Sequence, residues 1–149
     1  MIKEREVYGL ICLDKSEADI AFLRGKKIEI VSHLESIVPG KTRAGGQSSA
    51  RFARVREGLK HDWLKNVGEI ASNIFANEKE LLGIIISGPG PIKEEFAKGD
   101  YLKKDIAKKI IGIVDTGYTG EYGLEETLQR AKDILAEASV MKEKEILND

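Results

Sequence analysis

The sequence predicts a three-layer α/β domain built on a mixed five-stranded sheet. Three observations lead to this fold class: three short β-rich segments joined by tight turns come first, a long amphipathic helical pattern follows, and strand-like and helix-like segments alternate to the end. At 149 residues the chain has the length of one ordinary domain, so we expect a single domain over residues 1–149.

The first three strands form an antiparallel meander. They are predicted at "VYGLICLD" from Val7, at "ADIAFLRG" from Ala18, and at "KKIEIVSHLESIV" from Lys26. The connections, such as "KSE", are too short for a crossover, so consecutive strands must run in opposite directions.

A long helix is predicted after the meander. Ser48 or Ser49 caps its start and Phe75 lies near its end, which gives a length of about 40 Å. Gly58 and Gly68 weaken it, each by about 1 kcal/mol relative to alanine. Apolar residues recur at spacings of three and four, as one buried stripe requires: Phe52, Val55, Leu59, Trp63, Val67, Ile70 and Ile74.

The second half contains two strand–helix units. "LLGIIIS" and "KKIIGIVD" are apolar runs typical of strands covered on both faces. "GPGPIKEEFAKG" predicts a short helix with Pro91 at its first position, and "GLEETLQRAKDILAEASVMKEKEI" predicts one final amphipathic helix. This order of elements resembles the ribonuclease-H-like arrangement, which by itself says nothing about activity.

Composition restricts the function classes. The single cysteine, Cys12, excludes an internal disulfide and a multi-cysteine metal site, and it is most simply a core residue. No apolar run approaches 18 residues and "MIKEREVYG" has no features of a signal peptide, so we expect a cytoplasmic protein without a membrane partner.

The segment "KTRAGGQSSARFARVREGLKH" concentrates positive charge in a chain whose net charge is −1. Residues Arg51, Arg54, Gly58, His61 and Lys65 share one helical face. A cationic ridge that leads into a glycine-rich loop is typical of a surface that follows a phosphate backbone, while the alternative is solvated charge on an exposed helix. The candidate RNA-binding residues are Lys41, Arg43, Ser48, Arg51, Arg54, Arg56 and Lys60.

Gly45, Gly46 and Gln47 are the candidate catalytic residues. Two glycines allow backbone dihedrals closed to other residues and a close approach to a partner. Glutamine has no useful pKa, but it can position a water, or its backbone N–H can stabilise an oxyanion. Such a group needs the rest of a site from elsewhere, which indicates a contribution made in trans. Two glycines among repelling cations also predict a loop that is disordered in the free protein.

Other candidate sites are weaker, and no metal or cofactor is expected. "SGPGPIK" lacks the third glycine of GxGxxG and the GK[ST] of a P-loop, so a structural loop is predicted. The loop Asp115–Gly123 offers Asp115 and Glu121 as metal ligands, but a structural loop is favoured. Asp14 with Asp115 suggests a nuclease-like carboxylate cluster, but no third or fourth acidic residue is clearly placed at a strand end. The two histidines, His33 and His61, show no ligand spacing.

"GKTRAGGQSSARFARVREG" resembles the GGQ segment of the archaeal and eukaryotic class 1 peptide chain release factors, and is most similar to the archaeal form. "GLICLD", "GIIISGPGPIKEEF" and "VDTGYTGEYGLEETL" extend the resemblance to the middle domain of that family over nearly the whole chain. The codon-reading and C-terminal domains of the family have no counterpart here, so an isolated middle domain is expected. Ala44 stands where eukaryotic members carry a basic residue.

The resemblance implies translation termination. In the ribosomal peptidyl transferase centre, Gln47 would lie at the ester of the P-site peptidyl-tRNA and promote its hydrolysis, and its side-chain amide would be a methylation site. The basic residues would contact large-subunit RNA, and a translational GTPase would act with the full-length factor. Ester hydrolysis would occur only in the ribosome, so the chain is not expected to be a free-standing enzyme. The related ribosome-rescue factor lacks GGQ, which favours release over rescue. The alternatives from the residues alone are an RNA-binding module without chemistry and a metal-dependent nuclease.

Overall fold

The computed structural model describes residues 6–36 and 49–147, and the side chains of Ser49, Ala50, Phe52 and 142–147 lie outside this description. In this part of the chain five strands form one mixed sheet in the order β3-β2-β1-β4-β5, which confirms the predicted fold class. The elements are β1 Val7–Leu13, β2 Glu17–Arg24, β3 Lys27–Glu35, α1 Ser49–Ala76, β4 Leu81–Gly88, α2 Ile92–Lys98, α3 Lys104–Ala107, β5 Ile110–Asp115, α4 Gly120–Arg130 and α5 Lys132–Leu147.

The strand directions follow from the connection lengths. Strands β1, β2 and β3 are antiparallel neighbours, as the tight turns require, whereas β1, β4 and β5 run parallel and are joined through helices. Strand β1 lies in the centre, and all seven of its residues are buried. The sheet is therefore built around the first strand of the meander.

Helices cover both faces of the sheet and make the three layers. On one face, Trp63 of α1 and Phe96 of α2 pack in the same apolar cluster as Ile86 of β4. On the other face, Leu124 of α4 and Leu135 of α5 pack against the alternate residues of the strands. The period-two alternation of the strands thus supplies two separate cores.

The final helix differs from the prediction, because it is divided at Ala131 into α4 and α5. Thr127 Oγ1 lies 2.6 Å from the carbonyl oxygen of Gly123, four residues earlier, and such back-bonding bends helices. Helix α3 was not predicted, since its four residues are too few to show a period. Pro91 is the N-cap of α2 and not its first residue.

None of the helices among the described residues is both long enough and apolar enough to cross a membrane.

Candidate nucleic-acid interface

The candidate interface begins with helix α1, which is longer than the face of the sheet that it covers. Its 28 residues span about 42 Å at 1.5 Å per residue. Trp63 is the first fully described residue of α1 that is buried, and its indole Nε1 donates a hydrogen bond of 2.9 Å to the carbonyl oxygen of Asp14. The turns of α1 before Trp63 therefore extend past the core.

The predicted buried stripe is wrong for this first part of the helix. Val55 belongs to the stripe, yet it is 53% exposed, and Leu59 is only half-buried. The side chain of Phe52 lies outside the described residues. The stripe becomes a core surface only from Trp63, where the sheet begins to cover it. From that point Leu64, Val67, Ala71 and Phe75 are buried.

The predicted cationic ridge lies on the exposed surface of α1. Arg51, Arg54, Gly58, His61 and Lys65 are all exposed. For Arg51 and Arg54 the structure records no ion pair with any residue that it describes. Two guanidinium groups without an ion pair to any described residue can approach a polyanion without first breaking a contact within this part of the chain.

Lys60 and Arg56 differ from these two arginines. Lys60 Nζ lies 3.1 Å from Glu57 Oε2 and 3.1 Å from Glu95 Oε2, so two carboxylates already surround its charge. Burial alone lowers the pKa of Lys60, but hydrogen bonds to Glu95 and Glu57 outweigh it, and the pKa is raised. Arg56 is half-buried, and its Nε has no partner among the described atoms.

The loop between α2 and α3 packs against α1. Tyr101 OH lies 3.1 Å from His61 Nδ1, and the Tyr101 ring stacks on buried Phe96 with a centroid distance of 6.0 Å. Gly68 allows this approach, because a Cβ there would lie 2.1 Å from the carbonyl oxygen of Tyr101. The contacts at His61 and Gly68 join the middle of α1 to this loop, and the Phe96–Tyr101 stack joins the loop to the core.

The glycine-rich loop lies outside the described residues. Six of the predicted site residues fall there: Lys41, Arg43, Gly45, Gly46, Gln47 and Ser48. The predicted disorder of this loop also concerns residues outside the description. The structure describes the chain again from Ser49, the first residue of α1, two positions after Gln47.

The carboxylates considered for metal binding have structural roles. Asp14 Oδ1 accepts the backbone N–H groups of Ser16 and Glu17 at 2.7 and 2.8 Å and so closes the turn after β1. Asp115 Oδ1 lies 2.5 Å from Lys93 Nζ, and a hydrogen bond from this ammonium lowers the pKa of the Asp115 carboxyl. Among the described residues, no group of three His, Cys, Asp or Glu side chains is placed to hold a metal ion.

The loop "SGPGPIK" uses its lysine internally. Lys93 is 3% exposed, and its ammonium donates a 2.5 Å hydrogen bond to the carbonyl oxygen of Gly90 in addition to its contact with Asp115. A lysine held in this way joins the loop after β4 to the end of β5 and is not free for a phosphate. Cys12 is fully buried, as a core residue should be, and burial raises the pKa of its thiol.

One polar pair was missed by the sequence analysis. His33 on β3 lies opposite Asp19 on β2, and its Nδ1 donates a 2.8 Å hydrogen bond to Asp19 Oδ1. Asp19 is 3% exposed, whereas the His33 side chain is 45% exposed. Only the register of the two strands brings them together, and no spacing along the chain indicates it.

Comparison with known proteins identifies the family. The family model described as eRF1 domain 2 matches residues 7–137. The chain belongs to the eRF1 domain 2 family. The match covers every strand of the sheet and helix α1, and thus both the core and the exposed arginines.

Curated relatives of this eRF1 domain 2 chain are archaeal release factors. Peptide chain release factor subunit 1 of Pyrococcus abyssi is 50% identical over an alignment of 152 positions, which covers 100% of this chain and 37% of the relative. The protein of the same name from Methanobrevibacter smithii is 52% identical and covers 99% of this chain and 36% of its own length. The chain thus spans somewhat more than a third of these relatives.

Solved structures share the fold of the eRF1 domain 2 chain. The crystal structure of the archaeal translation termination factor aRF1 matches 97% of this chain and 41% of its own, with a TM-score of 0.74 at 29% identity. Archaeoglobus fulgidus Pelota matches 95% of this chain and 37% of its own with a TM-score of 0.60, but at 18% identity it shows the fold alone.

Proposed function

We propose that this chain acts in translation termination as the middle domain of an archaeal class 1 release factor. The observation that carries the proposal is the combination of an eRF1 domain 2 sequence with a Gly-Gly-Gln segment placed directly before helix α1. The identity of about half to archaeal release factor subunits supports it. Residues 1–149 would form this one domain, and the rest of the factor would supply codon recognition.

The proposed chemistry is hydrolysis of the ester between the finished peptide and the P-site tRNA. The backbone N–H of Gln47 stabilises the oxyanion of the tetrahedral intermediate, and its side chain restricts the nucleophile to the size of water. Gly45 and Gly46 allow the backbone to enter a site lined by ribosomal RNA. Glutamine cannot act as a general base, so the chain alone has no hydrolase activity.

The exposed arginines of α1 support this role electrostatically. Arg51 and Arg54 lie within two turns of the Gly-Gly-Gln segment and are free of ion pairs with the described residues. Guanidinium groups bind phosphates through two parallel hydrogen bonds, which positions a protein on an RNA backbone. We therefore propose that Arg51 and Arg54 contact large-subunit RNA. The other residues proposed to contact this RNA are Lys41, Arg43, Ser48 and Arg56.

Lys60 has a weaker place in this RNA surface. Its ammonium would have to leave both Glu57 and Glu95 before it could bind a phosphate. The proposed partners are the ribosome with P-site peptidyl-tRNA and, for the full-length factor, a translational GTPase. The proposed location is the cytoplasm, and Gln47 is a proposed methylation site.

The test is a graft of this chain between the flanking domains of an intact archaeal release factor. Stop-codon-dependent peptide release from P-site tRNA is measured for the unsubstituted graft and for Gln47→Ala at matched ribosome occupancy. Gln47→Ala keeps the backbone N–H but removes the side chain that positions the attacking water, so we expect the release rate to fall by about 100-fold with unchanged ribosome binding. Gln47→Asn, which keeps the amide but shortens it, separates positioning from mere presence of the group.

The alternative function is an RNA-binding module without chemistry, and it predicts that peptide release does not depend on Gln47. In that case the graft binds ribosomes with steep salt dependence, but Gln47→Ala leaves release unaffected or release is absent throughout. Either result in a folded, ribosome-bound graft would overturn the proposed catalytic role.

A further inference from the structure

Helix α1 is held on the body of the domain just where it leaves the core. Lys60 Nζ contacts Glu95 Oε2 of α2 at 3.1 Å, and the next residue, His61, contacts the Tyr101 hydroxyl at 3.1 Å. The rings of His61 and Tyr101 are 5.5 Å apart between centroids. Among the hydrogen bonds and ion pairs of the described residues, these are the contacts with α2 and its following loop that lie nearest the start of α1.

The other side of these contacts is firmly anchored. The ring of Tyr101 stacks on Phe96, which is fully buried, with only 4° between their planes. The backbone N–H of Lys103 donates a 3.0 Å hydrogen bond to Oγ of Ser72, which belongs to α1 and is also fully buried. Together with the close approach at Gly68, these contacts make the loop after α2 a fixed part of the core.

On the outward side, most of the described side chains of α1 are exposed, and only Arg56 and Leu59 are half-buried. Gly58 has open space where a Cβ would stand, and Val55, Arg54 and Arg51 are exposed. A glycine inside an exposed helix lowers its stiffness as well as its stability.

We propose that the Lys60–Glu95 and His61–Tyr101 contacts form a clamp that sets the direction of the arginine-bearing end of α1, and that Glu95 and Tyr101 are positioning residues for peptide release. The clamp itself is a structural proposal that is independent of function. The role of Glu95 and Tyr101 in peptide release rests on the proposed function.

Arg51 lies far enough from the clamp for a small change in helix direction to move it substantially. Lys60 lies nine positions after Arg51, which corresponds to about 13 Å along the helix axis. If α1 tilted by about 10° at the clamp, Arg51 would move by about 2 Å at this distance. Displacements of about 1 Å at reacting groups are enough to lower rates strongly. A contact that contributes little to stability can thus control the position of the helix end.

The structural half is tested by distance measurements between spin labels on this chain. One label is attached at Val55→Cys in the exposed first turns of α1 and the other at Lys132→Cys at the start of α5. The native Cys12 is buried and stays unlabelled. In the pair Glu95→Gln/Tyr101→Phe, which keeps the ring stack on Phe96, we expect the distance distribution to widen or shift by about 1 Å or more, because Val55 lies only about 7 Å along the helix axis from Lys60. The matched pair Glu94→Gln/Tyr122→Phe removes the same groups from exposed positions and should change nothing.

If the distribution of label–label distances is unchanged in the folded Glu95→Gln/Tyr101→Phe variant, the proposal that these contacts set the direction of α1 is wrong. Circular dichroism establishes that each variant is folded, and Lys60→Arg should retain the original distribution, because arginine keeps the charge pair with Glu95.

The positioning half is tested on the grafted release factor. The clamp variant should lower the maximal release rate by about tenfold, with the factor concentration for half-maximal release within about twofold, whereas the matched control keeps both values. A clamp variant that moves α1 but releases peptide normally would overturn the positioning role. An unsubstituted graft that binds ribosomes without release would overturn the proposed function, and the spin-label distances would still decide the clamp.

Discussion

His33 Nδ1 donates a 2.8 Å hydrogen bond to Oδ1 of Asp19, a carboxylate on β2 that is almost fully buried. The other carboxylate oxygen, Oδ2, has no hydrogen-bond partner among the described atoms. Glu35 Oε1 approaches His33 Nε2 at 3.5 Å, and Glu17 also contributes a negative charge. The protonated imidazole is therefore surrounded by acidic groups on β2 and β3.

The first prediction concerns the pH dependence of stability. The hydrogen bond to Asp19 raises the pKa of His33 above its ordinary value near 6.5. A raised pKa in the folded state gives stability that is fully present below the unfolded pKa and is lost as the pH rises through the folded pKa. The free energy of unfolding, measured with urea at a series of pH values, should decline above about pH 6.5.

His33→Gln should remove this decline, and His61→Gln should retain it. The wild-type decline persisting in His33→Gln would assign the pH dependence to another group.

The second prediction uses the two glycines of α1, which looked equivalent in the sequence. Gly58→Ala should raise the free energy of unfolding by about 0.5–1 kcal/mol, because alanine favours the helix and its methyl group meets open space. Gly68→Ala should lower it by about 1–3 kcal/mol, because the methyl group would lie 2.1 Å from the Tyr101 carbonyl oxygen and the loop must move.

Urea unfolding of the two single variants measures both changes. Effects of the same sign at the two glycines would show that helix propensity, and not the close approach of Tyr101, governs position 68.

The third prediction concerns the exposed arginines of α1. Arg51→Ala and Arg54→Ala should each weaken ribosome binding by the grafted factor and lower the slope of log affinity against log salt by about 0.7–0.9, the value for one lost phosphate contact. Arg130→Ala is the control, because Arg130 lies at the end of α4 and pairs with Glu126 at 3.1 Å. Binding titrations at several salt concentrations give the slopes, and equal losses for all three substitutions would point to net charge alone.

The sequence predicted the elements better than their surroundings. The bounds of α1 were predicted within a residue or two, because an apolar period of 3.6 over seven turns is a strong signal. The exposure of Val55 could not be predicted, since periodicity shows which face of a helix is apolar and not whether another element covers it. The break at Ala131 was missed for a related reason, because the apolar stripe continues across it.

The candidate site was predicted in part for the same physical reasons. The charge of α1 could be read from neighbouring residues, so Arg51 and Arg54 were expected on an exposed ridge. The neutralisation of Lys60 depends on Glu95, which is distant in sequence and reaches α1 only through the packing of α2 on the sheet. His33 and Asp19 meet through strand register, which short-range patterns do not determine when one of the strands is largely exposed.

The central position of β1 has a consequence for the order of folding. Strands β1, β2 and β3 are joined by tight turns, so their pairing closes only short loops, whereas β1 and β4 pair across more than 70 residues that include all of α1. The hairpins should therefore form first, and the parallel half of the sheet should await the docking of α1. In pulsed hydrogen exchange during refolding, amides of β2 and β3 would gain protection before those of β4 and β5, and simultaneous protection would show that the whole sheet forms in one step.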